Sequence, residues 1–131
     1  MYRMTNMKAM KQKILQLSFL AQTTDVNYRG TVHGGKVMKW IDEAGYALAA
    51  QYTGKYCVTK FVDDIEFKKP ISIGDLVTVT ATVLRLGSTS IRMHVTVASE
   101  NLVEAKRKDN CACDIVFVAL DESGQKIPIT D

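Results

Sequence analysis

Between Gly30 and Gly54 the chain carries one long helical repeat, and almost everything after it alternates in steps of two; few folds accommodate that order. On a helical wheel Val37, Leu48, Ile41, Tyr52, Gly45, Met38 and Ala49 follow one another through a single apolar face, with Lys36, Lys39 and Glu43 opposite. The spacing predicts one amphipathic helix, opened by Gly34-Gly35 and closed by Gly54. Ala44, Gly45, Ala47, Ala49 and Ala50 keep its sides small. Gly45 gives up about 1 kcal/mol of helix propensity relative to alanine, which implies a close backbone approach there, as when a sheet wraps the helix tightly. Asp42 falls between Ala49 and Tyr46, at the rim of the apolar face, where it is placed to look into a crevice.

The remaining elements read as strands. Lys13–Gln22 is apolar enough for a first strand, with a short helix as the alternative, and Thr23–Thr31 is a polar loop rich in Asp, Asn and Gly. Tyr56–Lys69 places Cys57, Thr59, Phe61, Asp63, Ile65 and Phe67 on one alternating face, with a bulge or register change expected at Asp63-Asp64 and an end at Pro70. Leu76–Leu84 alternates almost without error; Arg85–Ser88 turns the chain into Ile91–Val97, which should pair antiparallel with it. Asn101–Lys108 reads as a wide connection or an edge extension. Asn110–Leu120 is apolar on both faces, hence a central strand covered on both sides. The order strand, loop, long helix and four strands predicts an α+β domain in which one curved antiparallel sheet wraps one helix, with the sheet's opposite face in need of a partner.

Composition narrows the function classes. The 131 residues suit a single domain, taken as residues 13–131 behind a flexible N-terminal leader of residues 1–12. That leader lacks the apolar core of a secretory signal, so a cytoplasmic protein is expected. No apolar run approaches the ~20 residues of a membrane span, and a net charge of +3 is too small to point to nucleic acid, though if focused locally it suits a small polyanionic ligand. Cys57, Cys111 and Cys113 have no metal-finger spacing and read as buried, reduced thiols; with His33 and His94 they make no metal set. Nucleophile-elbow, dinucleotide and Walker motifs are absent.

What remains is a loop asparagine, a helix start and an acid. Gly34 and Gly35 leave open N–H groups at the positive end of the helix dipole, suited to a developing oxyanion, and glycine lets a substrate carbonyl approach closely. Asp42, about two turns further in, can activate a water beside that carbonyl; a solvated or capping carboxylate is the competing reading.

Asn27-Tyr28-Arg29-Gly30-Thr31-Val32-His33-Gly34-Gly35, Met38, Ile41-Asp42-Glu43-Ala44-Gly45, Val58-Thr59, Val62-Asp63, Phe67-Lys68-Lys69-Pro70-Ile71, Gly74-Asp75 and Gly87-Ser88-Thr89-Ser90-Ile91 together resemble the hot-dog-fold acyl-CoA thioesterases, in the cytosolic acyl-CoA hydrolase branch. The resemblance runs from about Leu15 to Pro128. It implies hydrolysis of acyl-CoA to a free acid and CoA-SH, with CoA as part of the substrate and no separate cofactor. It also implies edge-to-edge dimers, commonly assembled as trimers of dimers, whose composite active sites take the loop asparagine, Asn27, and the helix aspartate, Asp42, from opposing subunits.

Carried over residue by residue, the resemblance makes Asp42 general base or nucleophile, Asn27 the group that orients water or carbonyl, and Gly34 and Gly35 the oxyanion donors. Arg85, Gly87, Ser88 and Thr89 resemble the CoA-contacting turn, Thr59 is expected at the acyl or thioester site, and His33 sits at the substrate-side helix start. Met38, Tyr46, Val62 and Phe67 are candidates for the acyl pocket. Two other readings share the fold: a non-catalytic acyl-CoA sensor, against which Asp42 argues, and a dehydratase, for which His33 is the only helix-proximal histidine.

Overall fold

In a computed structural model, described here over residues 12–129, one helix lies across a five-stranded antiparallel sheet. The expected leader falls outside the described residues except at its last position. The strands are β1 (Ile14–Leu20), β2 (Cys57–Phe67), β3 (Leu76–Leu86), β4 (Ser90–Asn101) and β5 (Lys106–Ala119), in spatial order β1-β3-β4-β5-β2. The helix, α1, spans Gly34–Thr53 and ends in a left-handed Gly54 whose N–H donates to Ala50 O at 2.8 Å. One antiparallel sheet against one helix is the arrangement expected from the residue pattern, and it is the hot-dog fold that the family resemblance implies.

The helix lies on the core face of the sheet, against Val77, Val79, Val95, Val97, Ile115 and Phe117. Gly45 marks a close approach: a Cβ there would sit 2.7 Å from Phe117 Cε1. The close neighbour is thus a ring standing on β5 rather than backbone. The buried arc of α1 is also wider than the wheel suggested, because Trp40 and Ala44 join it, and Trp40 stacks on Phe19 of β1 at 5.3 Å between ring centroids.

Three strand expectations are corrected. Register shifts between Thr59 and Phe61 and between Asp63 and Glu66 break the alternation of β2 twice, so Phe61 pairs with Val116 on the outer face while Val62 pairs with Ile115 on the core face. The second irregularity holds Asp64 at φ 43°, where the Asp63-Asp64 pair had suggested one; the first carries no such marker. Of the two readings of Asn101–Lys108, the wide connection fails and the strand extension holds: β4 runs to Asn101, β5 starts at Lys106, and Asn101 Oδ1 accepts the N–H groups of Val103 and Glu104 at 3.1 Å to close the turn. Finally, β5 is central, but only its core face meets the helix. On the outer face Val116 stands between Phe61 and Arg92, the side chains of its neighbouring strands.

After β5 the chain turns at Asp121, and Ile129 is buried at the helix C-terminal end of the core; its N–H donates to Ser88 O at 2.9 Å. No helix among the described residues is long and apolar enough to cross a membrane.

Candidate active site

β2 runs antiparallel to α1 along one edge of the sheet, and three contacts mark the alignment. Phe67 lies beside Gly34, Thr59 beside Asp42, and Cys57 Sγ 3.6 Å from Thr53 Oγ1. The middle contact is a short hydrogen bond in which Thr59 Oγ1 donates to Asp42 Oδ1. Asp42 is solvent-exposed, and Oδ2 has no partner among the described residues. The threonine thus fixes one carboxylate oxygen and leaves the other free to accept a proton from water.

At the helix start the N-cap residue His33 makes no side-chain cap, and the first turn holds no acidic residue. The His33 carbonyl accepts from Lys36 N at 3.0 Å and Val37 N at 3.2 Å, while the Gly34 and Gly35 N–H groups have no acceptor among the described residues. Two donors therefore remain open at the positive end of a 20-residue helix. Among the described residues the histidine bonded to an acid is His94, on Asp114, rather than His33.

Asn27 sits in the loop that precedes this helix start. Its Oδ1 accepts Arg29 N at 2.9 Å and Thr31 N at 3.2 Å, and Nδ2 donates to Thr31 Oγ1 at 2.9 Å. Both acceptor positions are spent on the loop, so what Asn27 offers outward is one amide N–H.

Beside Gly34 opens a cavity of about 420 Å³, lined chiefly by Val32, Val37, Phe67, Pro70, Ile71 and Cys111. Of the acyl-pocket candidates only Phe67 lines it; Met38, Tyr46 and Val62 do not. Asn110, which sequence reasoning passed over, forms part of the wall. It is buried where β5 skips a pairing, and its Nδ2 donates to Lys69 O at 3.1 Å and Pro70 O at 3.2 Å, clamping that loop. A polar residue opening an otherwise apolar strand was the only available signal.

Arg85, Gly87, Ser88 and Thr89 lie at the other end of the sheet. The hairpin is closed by Gly87 N to Ser90 O at 2.8 Å and tied to β5 by Ala119 N to Thr89 O at 3.0 Å. The Ser88 and Thr89 N–H groups have no acceptor among the described residues, and Arg85 is exposed. From Cys111, beside the helix start, to Ala119, beside this turn, β5 extends roughly 27 Å at 3.3–3.4 Å per residue. One subunit therefore brings Asp42 and Thr59 together and groups Asn27 with His33, Gly34 and Gly35, but leaves the Arg85–Thr89 turn remote from both.

Elsewhere, Asp63 is ion-paired to Arg92 at 2.8 Å, and His94 Nδ1 lies 2.8 Å from Asp114 Oδ1 on the outer sheet face. Burial pushes the Cys111 and Cys113 thiols up to about 11. Among the described residues no group of three or more His, Cys, Asp or Glu is placed to hold a metal ion.

Residues 29–106 match the family described as the thioesterase superfamily. An uncharacterised acyl-CoA thioester hydrolase of Haemophilus influenzae is 36% identical over 119 residues, covering 86% of this chain and 75% of its own. Protein VdlD of Helicobacter pylori is 31% identical over 115 residues, 88% of this chain, which spans 66% of that protein's length. The acyl-CoA hydrolase of Staphylococcus aureus, solved with butyryl-CoA, CoA and CoA disulfide, superposes with a TM-score of 0.84 at 27% identity, covering 92% of this chain and 74% of that one. It has also been solved with one asparagine, one aspartate or one threonine replaced by alanine, at positions 15 and then 17 residues apart, the separations of Asn27, Asp42 and Thr59 here. A hexameric acyl-CoA thioesterase superposes with a TM-score of 0.86 at 31% identity, covering 90% of this chain and 76% of that one.

Proposed function

The chain belongs to the thioesterase superfamily, and from that premise we propose that it hydrolyses acyl-CoA to a free carboxylic acid and CoA-SH, in active sites each built by two subunits. The observation that carries the reading is the Asp42–Thr59 pair: an exposed carboxylate with one oxygen tied and one free, on a helix whose start presents two open glycine N–H groups.

The thioester carbonyl oxygen binds at the Gly34 and Gly35 N–H groups, which stabilise the negative charge that develops there. Asn27 adds its outward amide N–H to the carbonyl or to the attacking water. Asp42 takes the proton of that water through Oδ2, or attacks the carbonyl itself to form a mixed anhydride. The acyl chain enters the cavity beside Gly34, between Phe67 and Ile71.

The sharing of the site follows from topology. β2 is an edge strand of 11 residues with Phe61 and Phe67 exposed, and antiparallel pairing with its own copy satisfies both edges about a two-fold axis. That pairing sets the two helices antiparallel, so the Gly34–Gly35 end of one faces the Arg85–Thr89 end of its partner. Asp42, near the middle of α1, comes close to the axis and serves the partner's site, so that each site takes Asn27, Gly34 and Gly35 from one chain and Asp42 from the other, as the family resemblance implies. The partner's turn then supplies the Ser88 and Thr89 N–H groups to the CoA moiety, with Arg85 available to its phosphates. Assembly of such dimers into a hexamer is supported by the hexameric thioesterase that the chain resembles.

The test is release of free thiol from short, medium, long and aromatic acyl-CoAs, with Asp42→Asn alongside. The reading expects turnover to fall at least ~10²-fold in the variant while the oligomer persists. Wild-type turnover in Asp42→Asn would rule out its role as base or nucleophile, and binding of acyl-CoA without thiol release would favour the sensor reading.

A further inference from the structure

Lys36 stands in the first turn of α1, where a cation opposes the helix dipole, and no acidic residue accompanies it within that turn. Its partner comes from outside the helix: Nζ lies 3.3 Å from Asp25 Oδ1. Asp25 closes the short helical turn Thr23–Asp25 and is only 5% exposed, whereas the lysine side chain stays one-third exposed. The other carboxylate oxygen, Oδ2, accepts Gln22 N–H at 2.8 Å, and the Asp25 carbonyl accepts His33 N–H at 3.0 Å.

Asp25 therefore touches both ends of the loop that holds Asn27, and through His33 it touches the residue just ahead of Gly34. Within the loop, Val26 bridges Val32, and Asn27 N donates to Thr31 O at 2.8 Å, so the segment behaves as one narrow unit. An apolar pair replacing a buried ion pair can be equally stable. An ion pair with a hydrogen-bonded carboxylate, however, fixes direction as well as proximity.

We propose that the Asp25–Lys36 ion pair is a positioning device for the reaction, locking the loop that carries Asn27 in register with the open N–H groups of Gly34 and Gly35. The proposal rests on the thioesterase reading. Neither residue touches the thioester; both act through Asn27 and the helix start. Loss of the lysine leaves a nearly buried carboxylate without its counter-charge. The Asn27 amide then shifts relative to the oxyanion donors, and misplacement on the order of 1 Å can cost about a hundredfold in rate.

The experiment is steady-state hydrolysis of one acyl-CoA by the full chain, with thermal unfolding measured in parallel, for wild type, Lys36→Met, Asp25→Asn and the double variant. Lys36→Met keeps the apolar stem on a partly exposed position and removes only the charge. The expected result is a kcat lowered about tenfold or more in each single variant, with KM changed less than about threefold, at an assay temperature well below the melting temperature of every variant compared. The double variant should be no slower than the slower single, because both break the same pair. A kcat for Lys36→Met within about twofold of wild type, or losses that multiply in the double variant, would overturn the proposal. Should Asp25→Asn fail to fold, the Lys36→Met result decides alone. Failure of the parent reading is separately visible, since wild type would then release no thiol before any variant is compared.

Discussion

Replacement of Gly45 by alanine sets two known effects against each other, and the geometry decides the sign. Alanine in a helix interior gains about 1 kcal/mol over glycine. The new Cβ, however, would lie 2.7 Å from Phe117 Cε1, 3.1 Å from Phe117 Cζ and 3.4 Å from Met93 Sδ. Phe117 and Met93 are almost completely buried, and Phe117 sits between Ile91 and Thr59 on the flanking strands, so the ring has nowhere free to swing. Restoring an ordinary carbon contact of about 3.5–4.0 Å requires the ring or the helix to move by roughly 1 Å, and overpacking of that kind costs about 1–3 kcal/mol. Taking the middle of that range, about 2 kcal/mol, less the helix gain leaves Gly45→Ala destabilised by about 1 kcal/mol, lowering the melting temperature by roughly 3–6 °C for a domain of this size. The assay is thermal unfolding at matched protein concentration, because association raises the apparent stability. Activity should fall as well, since Phe117 pairs across the strands with Thr59, the residue that holds Asp42. Gly35→Ala supplies the contrast: nothing lies within 4 Å of its Cβ position, so stability is retained while the added methyl obstructs the carbonyl's approach. A Gly45→Ala protein that melts at or above wild type would refute this account of how the helix packs on the sheet.

Two further outcomes follow from the titrating groups. With its thiol raised to about 11 by burial, Cys113 should be unreactive toward a thiol-specific disulfide reagent in the native protein at pH 8, while all three cysteines react after denaturation. Rapid labelling of Cys113 in the native state would contradict its placement under the helix. The Asp114 carboxyl is held below the ordinary carboxylate range, first by its hydrogen bond to His94 and then by Arg92. Its contribution to stability is complete above the unfolded carboxylate pKa of about 3.9 and is lost as the pH falls through the lower folded value. Denaturant titrations from pH 5 to about 2 should show wild type losing stability more steeply than Asp114→Asn; parallel curves would contradict the contact.

The helix and the positions of the strands along the chain were legible because both rest on local periodicity: the wheel from Val37 to Tyr52 and the alternation of Leu76–Leu84 require no knowledge of neighbours. Gly45 was legible as a close contact for the same reason, although only the structure identifies the neighbour as Phe117. What the sequence hid depends on pairing between distant segments. The slip after Thr59 turns Phe61 outward without any glycine, proline or Asp pair to announce it. Asn110 becomes a clamp only because Lys69 and Pro70 end up opposite the interrupted pairing of β5. The candidate site divides the same way. Asp42 and the Gly34-Gly35 start are readable from the helix alone, and Asn27 and Thr59 enter through the family resemblance. The bond that joins Thr59 to Asp42 spans 17 residues and two elements. The distance between the helix start and the Arg85–Thr89 turn is a property of the sheet, and whether it closes is decided by a second chain.

Subunit complementation tests the shared site most directly. Asn27→Ala and Asp42→Ala are each expected to be inactive alone. Unfolded together and refolded as a random one-to-one mixture, they form hybrid dimers in which one site draws the intact asparagine and the intact aspartate from different chains while the other site lacks both. The account predicts recovery of thiol release to about a quarter of the wild-type rate per site. A mixture as inactive as its two components, with hybrid dimers demonstrably present, would contradict it.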